Sequence, residues 1–323
     1  IPMKLPVFDL HCDTALALSE RSDGYTALRS NHRHVDLTRA GELGGYAQCF
    51  AMYTTPDFDK WFQKPVTEVF DNMLSNLEKE IERNADLIAK AGSTAEIEEN
   101  RKNGKMSAIL TLEGPAGINF DAGRLRELYD RGFRISTLGW NEKNILTGSH
   151  VTGGGLTDAG KEYVRECQRL GILVDVSHIS DEAFWDIMEI TEAPIVASHS
   201  NLRSVCGHSR NLTEDMYKAI VQTGGTAGIN LCAPFIKESG ADFDATCDHI
   251  FRMLEIDPTG EHVSLGGDLD GCDELPEGFV GIQSYNALAD RLFERGLDEK
   301  TIRNIYWNNT MGVMDRAVRN HKK

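Results

Sequence analysis

The chain has 323 residues, 41% hydrophobic and 26% charged, which is enough apolar material for a large core and excludes the disordered, collagenous and small disulfide-scaffold classes. Its 34 Lys and Arg against 50 Asp and Glu leave a formal net charge of −16, so the mean surface field repels phosphate backbones and anionic headgroups, which argues against a nucleic-acid partner. No uncharged apolar run approaches the roughly 18 to 20 residues that span a bilayer, and no apolar tail signals a lipid anchor, so a soluble protein without a membrane anchor is expected.

In chain order, β-branched or apolar runs predict eight strands: Val7 to His11, Tyr46 to Tyr53, Ser107 to Glu113, Phe133 to Leu138, Leu173 to His178, Ile195 to His199, Thr226 to Leu231 and His262 to Asp268. Helical patterns intervene at Pro65 to Ala91, Arg124 to Arg131, Asp158 to Leu170, Asp181 to Thr191, Glu214 to Thr223 and Asp244 to Ile256, with more from Ser284 onward. Thr157, Ser180 and Thr213, each followed by acids, are expected N-caps of βα connections. Alternation of this kind gives a parallel sheet, open or closed. Reactive residues at the C-terminal ends of several strands favour closure, so the expected fold is an α/β (β/α)8 TIM-like barrel. Residues 1–323 are expected to form one such domain, with inserted loops and C-terminal helices.

Seven cysteines occur at 12, 49, 167, 206, 232, 247 and 272 without a CxxC pair. The odd count and scattered spacing predict reduced thiols, hence a cytoplasmic protein, unless a signal segment was removed before this numbering begins.

The candidate chemistry lies at strand ends. His11 and Asp13 are two apart on an extended segment and share a face, with Cys12 on the other. Glu113 stands where the third run stops. The fifth and sixth runs both end in Ser-His, at His178 and His199, and Asp268 emerges after Gly266 and Gly267. A buried strand that ends in an unpartnered polar group costs about 1 to 3 kcal/mol, so two such histidines on neighbouring strands favour a metal. Three histidines and three carboxylates suit Zn²⁺, with Mn²⁺ or Co²⁺ as substitutes, and suffice to bridge two ions roughly 3.5 to 4 Å apart. The remaining histidines, His249 among them, are read as surface or loop residues.

These motifs, Asp9-Leu10-His11-Cys12-Asp13, Leu112-Glu113-Gly114, Asp175-Val176-Ser177-His178, the run Ser198 to Asn211 and Gly266 to Gly271, resemble the membrane (renal) dipeptidase family, peptidase family M19 of the amidohydrolase superfamily. The likeness extends from Val7 to about Met314 and includes the 21-residue interval from His178 to His199. It implies a soluble microbial member that hydrolyses dipeptides, including those with a C-terminal D-residue, and acts as a homodimer. It also implies one zinc held by His11 and Asp13, a second by His178 and His199, and Glu113 bridging both. A metal-bridging hydroxide would attack while Asp268 serves as acid and base, and Arg210 would pair with the substrate's terminal carboxylate. One position departs: Trp140 stands where mammalian members carry a substrate-contacting histidine, leaving Trp140 itself, Asn141 or His150 to line the substrate. The competing readings are another binuclear amidohydrolase acting on a cyclic amide or ester, and a non-catalytic relative that binds metal or peptide.

Overall fold

The computed structural model describes residues 3–19 and 27–321. Nine parallel strands form its centre: β1 (Val7–Cys12), β2 (Tyr46–Tyr53), β3 (Ile88–Lys90), β4 (Met106–Glu113), β5 (Phe133–Thr137), β6 (Leu173–Asp175), β7 (Ile195–Ala197), β8 (Thr226–Ile229) and β9 (Val263–Leu265). The order β1-β2-β4-β5-β6-β7-β8-β9 closes on itself through Asp9 opposite Leu265, so eight strands make a barrel wrapped by helices, as expected. The short β3 lies outside that ring, pairing with Met106 to Ala108 at the start of β4.

Local signals in the sequence act as anticipated. Thr157 Oγ1, Ser180 Oγ and Thr213 Oγ1 accept hydrogen bonds from the N–H groups of Gly160, Ala183 and Met216, and acids occupy each first turn, where they oppose the positive end of the helix dipole. The inner face of the barrel is apolar at one end. Phe8 and Leu10 of β1, Ala47 and Cys49 of β2, Ile109 of β4 and Val196 of β7 form one cluster with Trp307, Val313, Met314 and Ala317. Only the barrel lumen brings such residues together, so the C-terminal helix Asn309–His321 lies across the N-terminal ends of the strands as a plug.

Four expectations are corrected. The helix placed over Pro65 to Ala91 stops at Arg83, and Ile88–Lys90 becomes β3. Nothing local breaks the helical pattern there, but the start of β4 offers backbone groups that an extended segment satisfies. Strands β6, β7 and β9 are only three residues long, so His178, His199 and Asp268 lie past the ladders rather than in them. His249 is fully buried in the helix Phe243–Ile256, where its ring bridges the Leu202 N–H and the Ile236 carbonyl. Finally, Cys232 and Cys272 form a disulfide, while Cys12, Cys49, Cys167, Cys206 and Cys247 are free. The partners are 40 residues apart with no motif to announce them. They meet because β8 and β9 are neighbours and each cysteine follows the end of its strand. The cysteine pattern therefore no longer argues for a reducing compartment. No helix among the described residues is long and apolar enough to cross a membrane.

Candidate active site

A bulge prepares the first strand for its task. Between Asp9 and Cys12, three steps along β1 match two along β2, from Gln48 to Phe50, which resets the alternation of faces. Cys12 consequently packs in the outer core with Phe50, and His11 and Asp13 point to the C-terminal mouth of the barrel, beside Glu113. Asp9, within the same motif, is spent on structure: it accepts hydrogen bonds from the N–H groups of His11 and Gly267, from Gln48 and from the Tyr285 hydroxyl, tying β1 to β2 and β9.

The structure brings His11, Asp13, Glu113, His178, His199 and Asp268 into one buried cluster. The two oxygens of Glu113 face different partners. Oε2 is 3.3 Å from His11 Nε2, and Oε1 is 2.9 Å from His178 Nε2 and 3.5 Å from His199 Nε2. His11 Nε2 lies 3.4 Å from Asp13 Oδ2 and 3.7 Å from Asp268 Oδ1. Two sets of donor atoms, His11 with Glu113 and His199, and His11 with Asp13 and Asp268, each fall within 4.8 Å of one another.

Hydrogen bonding at the far side of two rings selects their tautomers. His178 Nδ1 is 2.9 Å from Asn141 Oδ1, which also receives His150 Nε2 at 2.9 Å, while His150 Nδ1 meets Ser209 Oγ. His199 Nδ1 is 2.6 Å from Ser198 Oγ, whose hydroxyl donates to Asp175 Oδ2. Each Nδ1 thus carries the proton, and the Nε2 lone pairs face Glu113.

Burial and crowding push the ionisations apart. Burial opposes charge on Glu113, but the surrounding histidines outweigh it and hold the carboxylate well below its ordinary range. Burial also opposes charge on His11, yet Glu113 and Asp13 raise it well above the usual histidine value. Burial and the positive field of Arg210 pull His178 down to about 3, and burial with His11 and Arg210 keeps His199 well below its usual value. Asp13 and Asp268 are raised, first by burial and then by Glu113. His11 Nε2 and Asp13 Oδ1 are buried without a hydrogen-bond partner, each an arrangement that costs about 1 to 3 kcal/mol. Nitrogen and carboxylate donors packed this closely, some of them partnerless, fit divalent cations.

The backbone is strained to hold these groups. His178, Asp268 and Asp270 have φ of 72°, 55° and 66°, a region that residues other than glycine rarely enter. Gly271 is fixed by space, since a Cβ there would lie 2.1 Å from Asp13 Oδ2 and 2.4 Å from Asp268 Oδ1. Asp268 Oδ2 receives Asn230 Nδ2 at 3.2 Å and lies 3.3 Å from Cys232 Sγ, so the disulfide touches the candidate acid and base directly.

Arg210 is buried at the cluster's edge and has no ion pair among the described residues. Its Nη1 donates to Ser200 Oγ at 2.7 Å, its Nη2 to the His199 carbonyl at 2.9 Å, and its Nε meets no partner. Trp140 stands 6.3 Å from the His178 ring and 5.2 Å from Tyr53, with Trp61 at 6.4 Å behind it, forming an aromatic wall. Asn141 engages imidazoles through its oxygen, as described above. Sequence reasoning gave no role of their own to Tyr53, Asp175 and Ser198 and did not pair Cys232 with Cys272. The Asp-x-Ser-His spacing was a visible signal for Asp175; Tyr53 had only its place at a strand end. A second cavity at the opposite end of the barrel, lined by Thr94, Arg134, Met314 and Asp315 among others, gathers no comparable set of donors.

Comparison with known proteins points to one family. The family model for membrane dipeptidase (peptidase family M19) matches residues 1–323. An uncharacterized dipeptidase of Schizosaccharomyces pombe is 31% identical over 283 residues, covering 81% of this chain and 67% of the relative. The crystal structure of a metallopeptidase from Rhodobacter sphaeroides, liganded with a phosphinate mimic of the dipeptide L-Ala-D-Ala, is 26% identical with a TM-score of 0.85, covering 98% of this chain and 100% of that one. Dipeptidase AC, a metallopeptidase of family M19, is 28% identical with a TM-score of 0.86, covering 98% and 99%.

Proposed function

This chain belongs to the membrane dipeptidase family, peptidase family M19, and from that premise we propose that it is a binuclear zinc dipeptidase whose substrates include dipeptides ending in a D-residue. The observation that carries the reading is the divided carboxylate of Glu113, with one oxygen toward His11 and the other toward His178 and His199. In this reading His11 and Asp13 would hold one ion, His178 and His199 a second, and Glu113 would be shared between them. When bound, such ions would supply Lewis acidity and lower the pKa of a water toward about 7.

The chain's own groups do the rest. Asn141 and Ser198 orient the two histidines. Asp268, held by Asn230 beside His11, takes a proton from the attacking water and returns it to the departing amine, which leaves poorly without it. The buried guanidinium of Arg210 grips the substrate's terminal carboxylate, a geometry suited to two parallel hydrogen bonds. The inclusion of dipeptides ending in a D-residue is supported by the ligand of the Rhodobacter relative, a mimic of L-Ala-D-Ala.

The test is a dipeptide library including L-Xaa-D-Xaa members, assayed on protein loaded with zinc, manganese or cobalt, alongside a cyclic amide and a lactone. Turnover confined to dipeptides, with two equivalents of metal at full activity, is the expected result. Turnover of only the cyclic substrates would move the assignment to another amidohydrolase.

A further inference from the structure

Amide hydrolysis passes through a tetrahedral species whose former carbonyl oxygen carries negative charge, and a donor already aimed at that oxygen lowers the barrier. Most donors at this site are committed. His178 and His199 give their Nδ1 protons to Asn141 and Ser198, and Arg210, already bonded to Ser200 and the His199 carbonyl, has its remaining N–H groups assigned to the substrate's terminal carboxylate.

Tyr53 is different. It is the last residue of β2 and stands opposite Glu113 in the β2–β4 ladder. Ala47, Cys49 and Ile109 line the lumen, and alternation carries the same face to Tyr53 and Glu113 at the mouth. The phenol ring is clamped edge-on by Phe58 and tilted against Trp140, both at 5.2 Å. Its hydroxyl is buried and has no hydrogen-bond partner. A phenol keeps its proton at neutral pH, so this hydroxyl is a donor.

We infer that the Tyr53 hydroxyl donates a hydrogen bond to the scissile carbonyl oxygen as that oxygen gains charge, making Tyr53 a catalytic residue, with Trp140 as the wall that fixes its ring. The O–H bond stays intact throughout. The hydrogen bond tightens while the water oxygen adds to the carbonyl carbon and relaxes when the C–N bond breaks and the product carboxylate forms. This assignment rests on the dipeptidase reading.

The experiment compares wild type and Tyr53→Phe, both metal-loaded, on one dipeptide and on a phosphinate dipeptide mimic, with metal content and melting temperature measured for each. Removing one such donor is expected to cut kcat about 100-fold, with KM little changed and phosphinate affinity falling in parallel with kcat/KM. Unchanged kcat in Tyr53→Phe, or metal loss in proportion to activity, would overturn the assignment. A wild type inert toward every dipeptide would overturn the dipeptidase reading and this inference together, whereas an active wild type with an unimpaired Tyr53→Phe would overturn only the inference.

Discussion

The two ends of the barrel are built on opposite rules. At the N-terminal ends of the strands, Trp307, Val313, Met314 and Ala317 fill the lumen against Phe8 and Leu10, with apolar surface meeting apolar surface. At the C-terminal ends, six ionisable side chains share one buried cluster, two of its polar atoms lack partners, and His178 and Asp268 occupy left-handed backbone. One end stabilises the fold and the other stores the cost of a site.

Three substitutions would break or sharpen this contrast. Asp268→Asn at the upper end should lower kcat by about 10² to 10⁴-fold while metal content, measured by elemental analysis, holds steady. Full activity in that variant would remove Asp268 from the chemistry. Trp307→Ala at the lower end should do the reverse, costing about 3 to 5 kcal/mol in denaturant unfolding and leaving kcat of the folded fraction unchanged. If kcat fell instead, the plug would not be separable from the site.

The smallest effect is expected on the outer surface. Glu78 pairs with Lys90 at 2.9 Å and Arg131 at 2.8 Å. Burial works against its charge, but these cations outweigh burial and hold its pKa below the usual value. Its contribution is therefore present above the unfolded carboxylate value of about 4.3 and is lost as pH falls through the lower folded value. Because all three side chains are partly exposed, solvent screens the interaction and Glu78→Gln should cost at most about 1 kcal/mol at neutral pH. Unfolding of both proteins across pH 2 to 7 should show the difference vanish on acidification.

The contrast also explains what the sequence made legible. Val7 to His11, Tyr46 to Tyr53 and Phe133 to Leu138 declare strands because their residues fit a doubly buried sheet, and Thr157, Ser180 and Thr213 declare helix starts because capping is local chemistry. Strand ends near the site were read too long because His178 and Asp268 leave the ladder by a left-handed turn that their side chains do not advertise. Ile88–Lys90 became a strand through a partner elsewhere in the chain. The Cys232–Cys272 bond and the partnerless Tyr53 hydroxyl are products of closure alone, visible only when β2, β4, β8 and β9 are side by side.

That closure has a consequence for the order in which the molecule is made. Asp9 accepts from the Gly267 N–H, 258 positions away, and His11 meets Asp268 only through the same seam between β1 and β9. Non-local pairing of this kind forms late and slowly. An emerging chain carries His11 and Asp13 from its first strand onward, yet their neighbours arrive with β4, β6, β7 and finally β9. The site is thus the last part to be finished, and capture of metal would mark the moment the ring shuts.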